Sequence, residues 1–416
     1  MYQTSVNQEK IQIINRVLIL NLIRQEGICS RATLAKLSGL RQATITNIIG
    51  ELIHCGLVVE TGLISGERNR RAIGVRLNDE RFKVIGVRLA RGMFDISLAG
   101  LSGKPYGIWE HRTGMEGNLP SSLRAVRSAI QNLMREHPDD EVLSVCAAVP
   151  GPYHEEEDRL LFVTGLDGWK GCAVQRTLSE GLPMPLHVIN DANAGAFAQF
   201  WHNSGDAEAQ NMVYILAGQG IGCGMLVDGK LLLGQQSIAG EFGHSSISFD
   251  GPLCACGNRG CLEQYCSVSA LREQIAEQLR NGASSCLREG FITIPAITQA
   301  VRIGDRVACE AYRRVCGFLA MGIVSLINQL NPGKIVIGDQ LAEIHPGILL
   351  DTVKRTIENS VNPLISRNIA VEVNRLEESP SLLGAAAYAA QQALANPDLF
   401  LAASARNLCA HSRELA

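Results

Sequence analysis

At the start of the chain the apolar positions fall at helical spacing. Ile11, Ile14, Leu18 and Leu22 predict a helix over 7–26 that Gly27 stops. Ser30 then caps a short helix reaching Leu37, with Leu34 and Leu37 as its inner face. Gly39 makes a turn, and Ile45, Ile48, Ile49 and Leu52 form the apolar stripe of a third helix, Gln42 to His54. Its opposite face carries Gln42, Thr44, Thr46 and Asn47, with Arg41 just before them. Leu57 to Thr61 and Ala72 to Leu77 read as strands around a turn at Ser65-Gly66, with Arg68, Arg70 and Arg71 between them. Helix, glycine turn, helix and hairpin make a winged helix-turn-helix. Short polar groups on the third helix suit base edges in a major groove. Arginines on a projecting hairpin suit phosphates or a minor groove. A small protein-interaction domain with a solvated arginine cluster is the bland alternative.

From Phe82 the pattern changes to strands alternating with helices. Val84 to Leu89 and Met93 to Ala99 predict a hairpin, Leu123 to Met134 a helix, and Val142 to Val149 a buried strand. Leu186 to Ile189 is a strand running into Asn190-Asp191 and a helix from Ala192. Met212 to Ala217 and Gly222 to Val227 are strands joined later to helices near 268–280, 293–303, 305–330, 346–359 and 380–394, and to strands near 334–338 and 369–373. Such mixing predicts an α/β core.

Charge divides along the same line. Residues 1–78 hold ten Lys and Arg against five Asp and Glu, or +5; the remainder holds 28 against 36, or −8, within a whole-chain charge of −3. A basic first segment on an acidic body assigns the polyanion contact, operator DNA, to that segment. No apolar run is long enough to span a membrane and no signal pattern opens the chain, so a cytoplasmic protein is expected. Thirteen cysteines, an odd number scattered outside one loop, fit reduced thiols.

That loop, Ala239 to Tyr265, reads AGEFGHSSISFDGPLCACGNRGCLEQY. His244, Cys254, Cys256 and Cys261 have the chemistry of one structural Zn²⁺ site, and Gly251, Gly257 and Gly260 allow the tight folding it needs. Four unrelated loop residues would be the bland reading. Glu241 and Glu263 flank the ligands.

GEFGH followed by CxCGxxGCLE resembles the signature of the ROK family of sugar kinases and sugar-responsive repressors, with weaker echoes over about 81–390. The resemblance implies two actin-like (ribonuclease-H-like) α/β lobes around a cleft, one wall shaped by the zinc loop. It divides the chain into a DNA-binding domain at 1–80, a first lobe at 81–193 completed by a C-terminal helix at 380–416, and a second lobe at 194–379. It also implies a sugar site made of Asn190, Asp191, Glu241, His244 and Glu263. Asp191 would be the catalytic base position; an N-cap for the helix that follows is the structural alternative. His244 can serve twice, one ring nitrogen on metal and one toward a hydroxyl.

Family kinases open their first strand with an Asp-x-Gly-x-Thr-type phosphate loop. Here the strand reads Gly86-Val87-Arg88-Leu89-Ala90-Arg91, with Arg88 about where the aspartate belongs and Ala90 and Arg91 where glycines belong. A cation cannot hold Mg²⁺, and side chains crowd the phosphates. Leu216 to Gly222 resembles the second phosphate segment with Gln219 for a threonine, and Gly338-Asp339 replaces a Gly-Gly pair. The expectation is therefore a sugar-sensing repressor of carbohydrate genes, a homodimer or higher oligomer, with no phosphoryl transfer and no catalytic residue. The alternatives are an active sugar kinase fused to a DNA-binding domain, and a zinc-stabilised interaction protein that binds neither sugar nor DNA.

Overall fold

The computed structural model describes residues 8–65, 71–90, 92–112, 119–163, 167–203 and 207–396. Three helices come first: α1 (Gln8–Glu26), α2 (Arg31–Ser38) and α3 (Gln42–His54). The Ser30 hydroxyl accepts from Thr33 N–H at 3.1 Å and starts α2. Gly39 ends it in the left-handed conformation, φ 69°, which costs glycine nothing. A sheet of β1 (Cys29–Ser30), β2 (Val58–Ser65) and β3 (Arg71–Leu77) closes the unit, with β3 in the middle. Gly66, Arg68 and Arg70 of the expected hairpin lie outside the described residues.

The inner faces of two helices differ from the sequence expectation. Ile11, Ile14 and Leu18 are 48%, 59% and 38% exposed, whereas Ile19, Leu20 and Ile23 are buried. Most of the positions between Ile11 and Ile23 are apolar, so two stripes compete, and the face that meets the rest of the protein wins. Leu37 is 49% exposed, leaving Leu34 as the buried anchor of α2.

Two five-stranded sheets follow. The first comprises β4 (Phe82–Ala90), β5 (Met93–Gly100), β6 (Pro105–Arg112), β7 (Glu141–Val149) and, after a short hairpin of β8 (Tyr153–His154) and β9 (Arg159–Leu160), β10 (Leu186–Asn190). The second comprises β11 (Met212–Ala217), β12 (Ile221–Val227), β13 (Lys230–Leu231), β14 (Lys334–Gly338) and β15 (Ala370–Val373). Their orders are β6-β5-β4-β7-β10 and β13-β12-β11-β14-β15. Each has a three-strand antiparallel meander extended by two parallel strands, so one topology occurs twice. Sequence patterning missed β6, whose Pro105 and Gly107 weaken the strand signal.

On the first sheet, α4 (Leu119–Glu136) and α5 (Val174–Ser179) cover one face. α6 (Asp191–His202) starts at the end of β10. The second lobe carries α7 (Glu263–Cys266), α8 (Val268–Arg280), α9 (Ile294–Arg302), α10 (Arg306–Leu330), α11 (Gln340–Ile344), α12 (Pro346–Ser360) and α13 (Pro363–Ser366). The last helix, α14 (Pro380–Ala395), returns to the first sheet and to α6. Its small residues allow close approach: a Cβ on Gly384 would run into the Ala194 backbone of α6. Ile19, Leu20 and Ile23 of α1 share one continuous apolar core with Phe82, Val84 and Ala385–Ala387, so the first segment is packed onto the first lobe. Among the described residues no helix is long and apolar enough to cross a membrane.

Candidate functional site

The cysteine loop brings its donors together. Reactive atoms of His244, Cys254, Cys256 and Cys261 all lie within 4.8 Å of one another. Cys256 Sγ is 3.6 Å from Cys261 Sγ, and His244 Nδ1 is 3.5 Å from Cys254 Sγ. A tetrahedral centre with Zn–S of about 2.3 Å and Zn–N of about 2.0 Å sets its donors roughly 3.5–3.8 Å apart. The four residues therefore fit a metal ion of that kind. Gln264 Nε2 donates toward Cys254 Sγ at 3.6 Å, as a second layer around a thiolate would. Gly260 carries a positive φ, 66°, and a Cβ there would strike the Ser248 carbonyl. Every cysteine among the described residues is a free thiol.

The other nitrogen of His244 faces Glu241. Its Nε2 is 3.9 Å from Glu241 Oε2, and Phe162 packs edge-on against the ring at 5.0 Å. Glu263 is only 4% exposed; its Oε2 accepts from Ile221 N–H at 3.0 Å and so ties the loop to the start of β12. Asn190, not Asp191, caps α6: its Oδ1 accepts from Ala192 and Asn193 N–H at 2.9 and 3.2 Å, and its Nδ2 donates to Gly151 O at 3.0 Å. This leaves Asp191 as a half-buried acid at the start of α6, with Ala192 N–H donating to its Oδ1 at 2.8 Å.

Burial pushes the Asp191 carboxyl up to about 7, the Asp339 carboxylate adds to the rise, and the Ala192 N–H and the Arg88 charge pull it back. Glu241 is pushed up to about 7 by burial and by Asp191 and Glu263. A carboxylic acid whose folded value is raised holds its proton more tightly when folded. Its contribution to stability is present in acid and is lost as pH climbs from about 4 through about 7. The same climb creates the better hydroxyl acceptor. Affinity for an uncharged monosaccharide is expected to rise between pH 6 and 8 and to lose most of that slope in Asp191→Asn; calorimetry at a series of pH values checks it.

Arg88 is half-buried on β4 and its Nε donates to Asp95 Oδ2 of β5 at 2.7 Å. Arg91 lies outside the described residues. Gln219, in the turn between β11 and β12, donates to Gln340 Oε1 at 2.9 Å. Sequence reasoning noted Asp339 as a replaced glycine and missed Asp95. In the first unit, Arg41, Gln42, Thr46 and Asn47 are exposed along α3, Thr44 is half-buried, and Arg71 is exposed on β3. A groove of about 550 Å³ between β5, β6 and α4 shares none of the cleft residues.

The xylose repressor of Caldicellulosiruptor bescii is 28% identical over 400 residues, 94% of this chain and 99% of that protein. A ROK family transcriptional regulator homologous to Escherichia coli Mlc superposes with a TM-score of 0.81 at 30% identity, covering 95% of this chain and 98% of that one. A Streptomyces griseus ROK glucokinase, solved with glucose and AMPPNP, shares the fold at a TM-score of 0.65 and 24% identity, covering 74% of this chain and 99% of the kinase. The ROK family model matches residues 110–392, well over half of the sequence, and the chain belongs to the ROK family.

Proposed function

We propose that this chain is a sugar-responsive DNA-binding transcriptional repressor that keeps a kinase-type sugar cleft without phosphoryl transfer. The observation that carries the reading is the exposed polar face of α3, with Arg41, Gln42, Thr46 and Asn47 displayed on a unit whose core continues into a sugar-kinase fold. Relatives named as repressors over nearly the whole length support it. Residues 1–80 act as the winged helix-turn-helix, 81–193 with the helix from Pro380 as the first lobe, and 194–379 as the second. Operator DNA is bound by a homodimer, because one such unit makes few contacts and its sites come as paired half-sites. The place of work is the cytoplasm.

In the cleft, Asn190 positions Asp191, while Asp191, Glu241 and His244 Nε2 face the sugar hydroxyls and Glu263 holds the wall behind them. His244 Nδ1, Cys254, Cys256 and Cys261 hold a structural Zn²⁺, which fixes the loop.

Gln42→Ala and Asn47→Ala are expected to change base preference, each by about 1–3 kcal/mol at one position of the operator. Arg70→Ala with Arg71→Ala, together with Arg68 the arginines of the expected wing, should weaken binding to all sequences and flatten its salt dependence. Binding titrations over a salt series, with an operator and scrambled DNA, measure both. An unchanged salt slope would remove the wing from the interface.

The kinase reading is opposed by Arg88, which stands bonded to Asp95 where a metal-binding aspartate is expected. Sugar-dependent ATP turnover is expected to be absent. A coupled assay giving about 1 per second or more, the ordinary range of kinases, would restore the enzyme.

A further inference from the structure

Asp339 follows β14 with φ 70° and ψ −172°. That backbone region is populated essentially by glycine alone, and a residue with a side chain held there carries strain of the kind that clusters at functional sites. Its position says what that function is. A Cβ added at Gly218, in the turn that resembles the second phosphate segment, would collide with Asp339 Oδ2. The space that glycine opens for a close-approaching phosphate is thus filled by a carboxylate of the chain itself. The neighbouring Gln340 closes the same turn through its bond from Gln219 at 2.9 Å.

The electrostatics agree. Asp339 and Asp191 repel one another's negative charge, and both carboxyls are held above their ordinary range, burial being the first cause. Glu343 is raised too, by burial and by Asp339. Opposing them is Arg88, which favours the ionised forms of Asp191 and Asp339 but gives its Nε to Asp95. A phosphate monoester would bring nearly two more negative charges beside these carboxylates.

We propose that Asp339 is a resident stand-in for a phosphoryl group, which fills the phosphate position of the cleft and bars nucleotides and sugar phosphates, so that the effector is an unphosphorylated sugar. This rests on the sugar-cleft reading above and adds the class of ligand to it. An uncharged sugar ends at Asp191 and meets Asp339 as the floor of its site. A sugar phosphate or a nucleotide has to displace a carboxylate that the fold holds in place.

The test is calorimetry on the full-length protein and on Asp339→Gly. The probes are glucose, xylose and N-acetylglucosamine, then glucose 6-phosphate, N-acetylglucosamine 6-phosphate and Mg-ATP. The wild type is expected to show no saturable binding of any phosphorylated probe up to about 10 mM, a Kd weaker than roughly 1 mM being beyond useful affinity. Asp339→Gly, freed of a strained residue, is expected to keep or raise its melting temperature and to gain about tenfold or more for at least one phosphorylated probe. A wild type that binds a sugar phosphate as well as its parent sugar would overturn the proposal, as would an Asp339→Gly protein that folds and gains nothing. If the phosphorylated probes behave as expected while no sugar binds, Asp339 is confirmed as the barrier and the sugar-sensing reading falls instead.

Discussion

Cys256→Ser is expected to lower zinc to well below one ion per chain, to drop the melting temperature by roughly 5–10 °C, and to abolish the sugar response. The first outcome follows from the geometry. Cys256 Sγ stands 3.6 Å from Cys261 Sγ, a separation suited to two sulfurs on one ion, and a hydroxyl is a poor substitute for a thiolate. The second follows from linkage. An ion held at a hundredfold its Kd stabilises by about 2.7 kcal/mol, and a domain of this size shifts by about 2–4 °C per kcal/mol. The third follows from connectivity. His244 sits between Cys254 on its Nδ1 side and Glu241 on its Nε2 side, and Glu263 joins the loop to Ile221 of β12. A loop released from its metal cannot present Glu241 and His244 to one ligand. Zinc analysis, thermal melts and sugar calorimetry on the same preparation check the three outcomes. Full zinc occupancy with normal sugar binding would show that the four residues are not a metal site.

This loop was legible in the sequence because all its donors are local: four ligands lie within eighteen positions, so no long-range packing is needed to see them together. The helices of the first unit were legible for a similar reason. Ser30, Gly27 and Gly39 mark boundaries by their own backbone chemistry, and the structure ends α1 just before Gly27 and places α2 between Ser30 and Gly39. What was not legible depends on partners far along the chain. The buried stripe of α1 is chosen by the surface it meets, so Ile11 and Ile14 stay outside while Ile19 and Ile23 go in. Arg88 reads in sequence as a lost aspartate. Only the register of β4 on β5 sets it opposite Asp95 and turns the loss into a new ion pair. Asp339 shows its meaning through a backbone angle and a contact with Gly218, neither of which a sequence displays.

Arg24→Ala is expected to leave sugar affinity within about twofold and apo operator affinity within about threefold, while cutting the effect of sugar on operator affinity from tenfold or more to less than about threefold. Arg24 lies near the end of α1, is 9% exposed, and holds its guanidinium 3.6 Å above the Trp201 ring, with Nη1 donating to Trp201 O at 3.4 Å. Burial brings its pKa down only to about 10, so it stays a cation at neutral pH and the contact keeps its charge. A desolvated stack of this kind contributes about 2 kcal/mol. Trp201 is itself fixed, its Nε1 donating to Ser102 O at 2.8 Å. It lies one residue before the end of α6, and the other end of α6 is Asp191, the acid of the proposed sugar site. Twelve residues of helix span about 18 Å. The span is stiff, because nearly all of α6 is buried and α14 lies along it, with Ser381 Oγ donating to Asp191 O at 2.9 Å. In the proposed sugar site, drawing Asp191 toward Glu241 and His244 would move a rod whose far end is clamped to the first unit, rather than bend a loop. A tenfold to hundredfold effect requires about 1.4–2.7 kcal/mol of differential binding, comparable to the clamp. Arg24→Lys, which keeps the charge and loses the flat stack, should fall between wild type and alanine. Operator titrations with and without sugar, and sugar calorimetry with and without operator, must return the same coupling factor by reciprocity. If Arg24→Ala weakens DNA binding equally in both states and leaves that factor untouched, Arg24 only holds the unit in place and the signal takes another route.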